Sequence, residues 1–136
     1  MDYSNWMHNT LALIGPQPLR TVSMPASHDA GMSSSNDCNM ANQCNTKTQT
    51  TAILGQLQAG VRYFDIRPTI YKNTLYTAHL DDTTGFGCNG ESMQNVLSDV
   101  VTFIGRSGDL VILKFSHYYD RDNNKSGFSQ SQRCSS

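Results

Sequence analysis

Five residues able to carry acid–base attack on a phosphate ester stand at the ends of short apolar segments: His28, Asp29, Asp65, Arg67 and His79. His28-Asp29 follow Ser23-Met24-Pro25-Ala26-Ser27, Arg67 closes Val61-Arg62-Tyr63-Phe64-Asp65-Ile66, and His79 closes Leu75-Tyr76-Thr77-Ala78. Parallel α/β folds collect reacting groups at the C-terminal ends of their strands, where the loops converge over one mouth. An imidazole exchanges protons with a hydroxyl near neutral pH, with an ordinary pKa of about 6.5. The planar guanidinium of Arg67 matches two non-bridging phosphate oxygens. Asp65 and Arg67 are two residues apart, so a strand puts them on one face. That pair also has a purely structural reading, an ion pair satisfied inside a barrel, and Asp65 can serve both by holding Arg67. Asp81 and Asp82 follow His79, and nearby carboxylates favour a charged imidazole, as a general acid requires. Lys114 and Ser116 share a face at the end of a later apolar run. Lys114 reads equally as a phosphate ligand and as a structural lysine.

Behind these residues stands a chain of 136 residues, long enough for one sizeable core. Its net charge of -1 supplies no basic field for nucleic acid. Charged residues make up only 15%, with abundant Ser, Thr, Asn and Gln, which suits an extracellular protein. Residues 1–15 show no basic segment followed by a long apolar core, so no signal peptide is visible. The longest apolar run is far too short to cross a bilayer. The four cysteines, Cys38, Cys44, Cys88 and Cys134, match no zinc spacing. At least one disulfide is expected, and Cys38 and Cys44 are close enough for a local one if their loop folds back. Asn124-Lys125-Ser126 is an N-glycosylation acceptor triplet.

The elements that must position the chemistry follow from periodicity. A helix is expected from Asn5 to Ile14, capped by Ser4 and stopped by Gly15-Pro16. Leu19 to Met24 reads as a strand ended by Pro25. Residues 30–48 read as a long loop. A helix capped by Thr50 or Thr51 carries Ile53, Leu54 and Leu57 and ends at Gly60. Val61–Arg67 is a strand, and Leu75–His79 follows too soon for a parallel crossover, so it returns as a hairpin arm. Asp81–Gly90 reads as a loop. A longer helix presents Met93, Val96, Leu97, Val100, Val101 and Ile104 on one side. Leu110–Phe115 reads as a fully buried strand. Beyond residue 120 the sequence is polar without period, so residues 1–120 form the domain and 121–136 a flexible tail. Two βα units feeding apolar strands give an α/β fold with a parallel sheet and outer helices.

The run His28-Asp29, Gly60-Val61-Arg62-Tyr63-Phe64-Asp65-Ile66-Arg67, Tyr76-Thr77-Ala78-His79 and Leu110-Val111-Ile112-Leu113-Lys114-Phe115 resembles the X region of phosphatidylinositol-specific phospholipase C. It is most similar to the bacterial and secreted fungal types, and the likeness spans roughly residues 5–120. The resemblance implies the first half of a (β/α)8 barrel. It also implies attack of an inositol 2-hydroxyl on phosphorus, releasing diacylglycerol and a cyclic inositol phosphate. By position, His28 corresponds to the general base and His79 to the general acid. Arg67 corresponds to the arginine that neutralises the phosphoryl oxygens, and Asp29 to the carboxylate that assists protonation of the leaving group. Asp65 lies in the site floor and Lys114 can bind phosphate or inositol hydroxyls.

Calcium-dependent animal relatives carry acidic or amide ligands at positions matching 29, 65, 67 and 116. Here these are Asp29, Asp65, Arg67 and Ser116, and a guanidinium among them argues for no metal and no cofactor. Such a barrel needs about 250 residues. The missing half holds the carboxylate that orients the general base in the family. The expected partners are therefore an inositol phospholipid at a membrane surface and a second half-barrel, from the remainder of the parent protein or another chain. Three functions compete. The first is a metal-independent phosphodiesterase, and the second a truncated, inactive lipid- or inositol-phosphate-binding module. The third is a metal phosphohydrolase, which Arg67 disfavours by repulsion.

Overall fold

The computed structural model describes residues 3–128. Its elements, in order, are α1 (Trp6–Asn9), α2 (Leu11–Ile14), a 3-10 turn at Leu19–Thr21, β1 (Ala26–Ser27), β2 (Asn36–Asn39), α3 (Gln43–Thr46) and α4 (Ile53–Gln58). They continue with β3 (Tyr63–Ile66), β4 (Pro68–Tyr71), β5 (Thr74–Leu80), β6 (Gly87–Ser92), α5 (Met93–Ser107), β7 (Ile112–Phe115), β8 (Tyr119–Asp120) and β9 (Lys125–Ser126). Strands β1, β3 and β7 form a parallel sheet in that order. A second, mostly antiparallel sheet runs β2-β6-β5-β4-β8-β9, with β4 and β8 parallel.

The parallel sheet with helices outside is the architecture expected from the βα pattern. Ile53 and Leu57 of α4 and Met93, Val96, Val100 and Phe103 of α5 bury against Phe64 and Ile66 of β3. Ser92 caps α5 by accepting from the Asn95 amide, and Gly108, in the left-handed region at φ 68°, ends it. The buried stripe is narrower than the sequence indicates: Leu97, Val101 and Ile104 are exposed and Phe103 is buried instead.

Several expectations are corrected. The first helix breaks at Thr10, whose hydroxyl donates back to the Trp6 carbonyl and bends the chain. Neither Ser4 nor Thr50 or Thr51 caps a helix. Asn5 and Ala52 occupy the cap positions, and Asp99 of α5 accepts from the Leu54 amide. Leu19–Thr21 is a 3-10 turn closed by the Thr21 hydroxyl on the Pro18 carbonyl, and the strand forms beyond Pro25 instead. Proline lacks only a donor, and the Pro25 carbonyl accepts from Arg62 and Tyr63. The hairpin return at β5 is present, its other arm being β4 across a turn at Lys72 and Asn73, with φ of 51° and 56°.

Strands β2 and β6 and helix α3 fall in regions read as loops. They carry no apolar alternation; backbone pairing and side-chain caps define them, including the Asn42–Asn45 capping box of α3. A Cβ at Gly87 would lie 1.9 Å from the His79 carbonyl, so only glycine lets β6 approach β5. Among the described residues the disulfide is Cys38–Cys88, across β2 and β6, and Cys44 is free and exposed. Cys134 lies outside the described residues. The run Leu110–Phe115 is not fully buried: Leu110 and Phe115 are 46% and 41% exposed, and among the described residues no strand pairs with the far edge of β7. Residues 119–126, across the boundary expected at 120, form the β8–β9 hairpin, with Asp120 and Phe128 buried. The rest of the polar segment, 129–136, lies outside the described residues.

One buried ion pair ties the N-terminal ends of the parallel strands together. Arg62, wholly buried, donates to Asp109 through Nε at 3.1 Å and Nη2 at 2.7 Å, and to the carbonyls of Leu57, Val61 and Ser4. Phe103 lies against its guanidinium at 4.5 Å, and Asp109 also accepts from the amides of Met7 and His8. Removing one partner strands a buried charge. Asp109→Ala is expected to cost about 3–5 kcal/mol in urea unfolding, while replacing both Arg62 and Asp109 by apolar residues of matched volume recovers most of that loss.

Candidate active site

Strand ends bring the candidate residues to one mouth. His28 and Asp29 leave β1, Asp65 is the penultimate residue of β3 with Arg67 just beyond the strand, His79 lies near the end of β5, and Lys114 lies near the end of β7 with Ser116 just after it. The turn after β1 is held from below. The Ala30 amide donates to the Asp65 carbonyl, Thr48 to the Asp29 carbonyl, and Gln49 to the His28 carbonyl. Asp29 adopts a left-handed φ of 51°, which turns its carboxylate inward, where it is 1% exposed.

That carboxylate divides its oxygens between two cationic groups. Oδ1 lies 3.4 Å from Arg67 Nε, and Oδ2 takes a hydrogen bond from His79 Nδ1. Burial pushes the Asp29 carboxyl above its usual range, and the charges of Arg67 and His79 offset part of this. With Nδ1 engaged, His79 presents Nε2 outward on a ring that is 35% exposed. The sequence pointed to Asp81 and Asp82 as the neighbours of His79. Instead Asp81 caps its own loop by accepting from Thr83 and Thr84, and Asp82 pairs with His117 at 2.7 Å.

Asp65 is the second hub. Its Oδ2 lies 3.2 Å from Arg67 Nε and 3.3 Å from His28 Nδ1, and its Oδ1 accepts from Ser116 at 2.8 Å and lies 4.0 Å from Lys114 Nζ. Burial raises the Asp65 carboxyl, but the Ser116 hydroxyl, the Arg67 guanidinium and the Asp29 amide outweigh it and leave it below the usual range. The carboxylate facing Nδ1 of His28 therefore comes from this chain, whereas the resemblance assigned that duty to a missing half. Arg67 Nη2 reaches His28 Nε2 at 3.3 Å, so the guanidinium sits between both carboxylates and beside the first imidazole.

All six predicted residues thus meet around Arg67. Sequence reasoning missed what Ser116, Thr48 and Gln49 contribute. Only Ser116 left a signal, its place on the Lys114 face. His117 lines a cavity of about 540 Å³ together with Arg67, His79, Asp82, Met40 and Phe86. Tyr119 is buried and donates to Asn124, and Tyr118 stacks edge-on with Phe128, so neither belongs to the mouth. Trp6 donates to the Gly60 carbonyl, far from these residues in the fold.

The family profile for phosphatidylinositol-specific phospholipase C, X domain, matches residues 22–125. The chain belongs to that family. It is 27% identical to a PI-PLC X-box domain-containing protein of Dictyostelium discoideum, over 90% of this chain and 18% of that protein. It is 26% identical to PI-PLC X domain-containing protein 3 of Danio rerio, over 90% of this chain and 44% of that one. Among solved structures, it superposes on a Staphylococcus aureus phosphatidylinositol-specific phospholipase C with a TM-score of 0.73 and 23% identity, covering 96% of this chain and 40% of that chain. The fold is therefore part of the phospholipase barrel, and the chain spans less than half the length of these relatives.

The two hubs predict opposite pH dependences. Asp65, held below its usual value near 3.8, stabilises the fold above that pH, and this contribution is lost as pH falls through the folded-state value. Asp65→Asn should cost about 1.5–3 kcal/mol at neutral pH, a deficit that shrinks in acid. Asp29, held above its usual value, favours the fold below that value and loses this as pH rises through the folded-state one. The stability gap between wild type and Asp29→Asn should therefore narrow with rising pH. Urea midpoints across the acid range read both.

Proposed function

We propose that this protein is a phosphoric diester hydrolase of the phosphatidylinositol-specific phospholipase C type, working without a metal by paired histidine catalysis. The observation that carries this reading is the ring of contacts around Arg67, in which one guanidinium touches Asp29, Asp65 and His28 while His79 shares Asp29. A phosphodiester entering the mouth gives Arg67 Nη2 better acceptors than His28 Nε2, its non-bridging oxygens. The freed Nε2 lone pair takes the proton of the inositol 2-hydroxyl as that oxygen attacks phosphorus. Asp65 steadies the imidazolium that forms through Nδ1. Charge on the phosphoryl oxygens is met by Arg67, with Lys114 available to an inositol hydroxyl or phosphate oxygen. His79 Nε2 protonates the departing glycerol oxygen, and Asp29 on its Nδ1 fixes the ring and supports the proton's delivery. The products are diacylglycerol and a cyclic inositol phosphate.

The substrate is an inositol phospholipid presented at a membrane surface. A further half-barrel, from the remainder of the parent protein or a second chain, covers the open edge of β7 and the apolar groove beside it. That groove, about 790 Å³, is lined by Leu75, Met93, Leu97, Phe115, Tyr118 and Phe128, among others. The Cys38–Cys88 disulfide supports an extracellular location. A second reading, a lipid- or inositol-phosphate-binding module without turnover, draws support from His28, whose side chain is 69% exposed.

The test is cleavage of vesicles containing phosphatidylinositol. Turnover should persist in chelator and fall about 10²–10⁴-fold in His28→Ala and in His79→Ala. Binding without turnover, unchanged in His79→Ala, selects the module; turnover abolished by chelator contradicts the metal-free reading.

A further inference from the structure

We propose that Asn124 is a site of N-linked glycosylation, taking an oligosaccharide on its side-chain amide. Asn124 is the only asparagine in the sequence followed two residues later by Ser or Thr without an intervening Pro. A triplet alone is weak, and three features of the fold strengthen this one. First, it occupies the turn and outer strand of the β8–β9 hairpin, where Asn124, Lys125 and Ser126 are all exposed. Asn124 stands in the left-handed region, φ 50°, at the bend of the hairpin, where bulk on the side chain meets solvent.

Second, the amide is already oriented. Tyr119, buried, donates its phenolic hydrogen to Asn124 Oδ1 at 3.0 Å, which leaves Nδ2 as the free end. Glycosylation consumes only an Nδ2 hydrogen and keeps the carbonyl, so this bond survives the modification. The donor class is a lipid pyrophosphate-linked oligosaccharide. An N–C bond forms between Nδ2 and the anomeric carbon, and the bond from that carbon to the pyrophosphate oxygen breaks. The lipid pyrophosphate leaves with the electron pair, and the displaced Nδ2 hydrogen departs as a proton.

Third, the surroundings suit a sugar and the compartment suits the reaction. Asn124 borders a polar hollow of about 470 Å³ shared with Asp37, Asn39, Tyr71, Tyr119 and Arg121. Arg121 lies over the Tyr71 ring at 4.5 Å, so the hollow presents polar groups that can meet sugar hydroxyls. Cys38, at its edge, is in the disulfide with Cys88, a bond that persists in the oxidising compartments where this modification occurs. None of the residues converging on Arg67 lines this hollow, so the glycan sits apart from the proposed catalytic groups.

The chain, directed by a leader into the secretory pathway of a eukaryotic cell, tests this. Mass spectrometry of the secreted, disulfide-bonded protein should find a glycopeptide containing Asn124, converted to Asp when peptide N-glycosidase removes the sugar. Ser126→Ala leaves Asn124 and its Tyr119 contact intact and should abolish the modification, whereas Ser126→Thr should keep it. Any phosphodiester cleavage should be the same in both variants. Unmodified Asn124 in the secreted wild type overturns the proposal, as does modification that persists in Ser126→Ala.

Discussion

A carboxylate taken out of water is stable only if the charges around it are fixed, and Asp29 imposes that condition on the whole mouth. It is 1% exposed and shared between Arg67 and His79. To reach them it needs a backbone turn at φ 51°, held by Thr48 and by the backbone of β3. Three strand ends are thereby locked to one another, the first through Asp29, the second through Arg67 and the hairpin through His79. Asp65 repeats the arrangement one layer outward, binding Arg67, His28 and Ser116. The position of each imidazole follows from a carboxylate that itself needs cations, so geometry and electrostatics enforce each other.

The rest of the molecule keeps those strand ends in register. At the opposite end, Arg62 and Asp109 bind α1, α4, β3 and the start of β7 into one buried knot. On the His79 side, β5 is clamped between β4 and β6, and Cys38–Cys88 pins β6 to β2. Closing a loop across a sequence separation of 50 stabilises such a hairpin layer by about 2–4 kcal/mol. Among the described residues the parallel sheet, by contrast, ends at β7, with Leu110 and Phe115 exposed beside it.

The parts legible in the sequence are those written by side-chain pattern. Short apolar segments gave β3 and β5, the 3.6-residue stripe gave α5, and ionisable residues at strand ends gave the six candidate residues that the fold brings to one mouth. What sequence could not show is set by contacts across the fold. Strands β2 and β6 are polar and glycine-containing, and their existence depends on backbone pairing and a disulfide between distant cysteines, so Cys38–Cys44 looked the nearer choice. The apolar run Leu110–Phe115 reads as buried because composition reports what a strand can bury, whereas exposure depends on its neighbours. Asp81 and Asp82 are close to His79 in sequence, yet Asp29, fifty residues away, holds its ring.

The central claim is that His28 and His79 act on a single phosphate, each oriented by its own carboxylate. Nitrogen-15 NMR of the two imidazoles during titration with a soluble inositol phosphate tests it most directly. The account predicts that both rings respond with one shared dissociation constant, with Nδ1 of each remaining protonated. Response of one ring alone, or two separate constants, would contradict it.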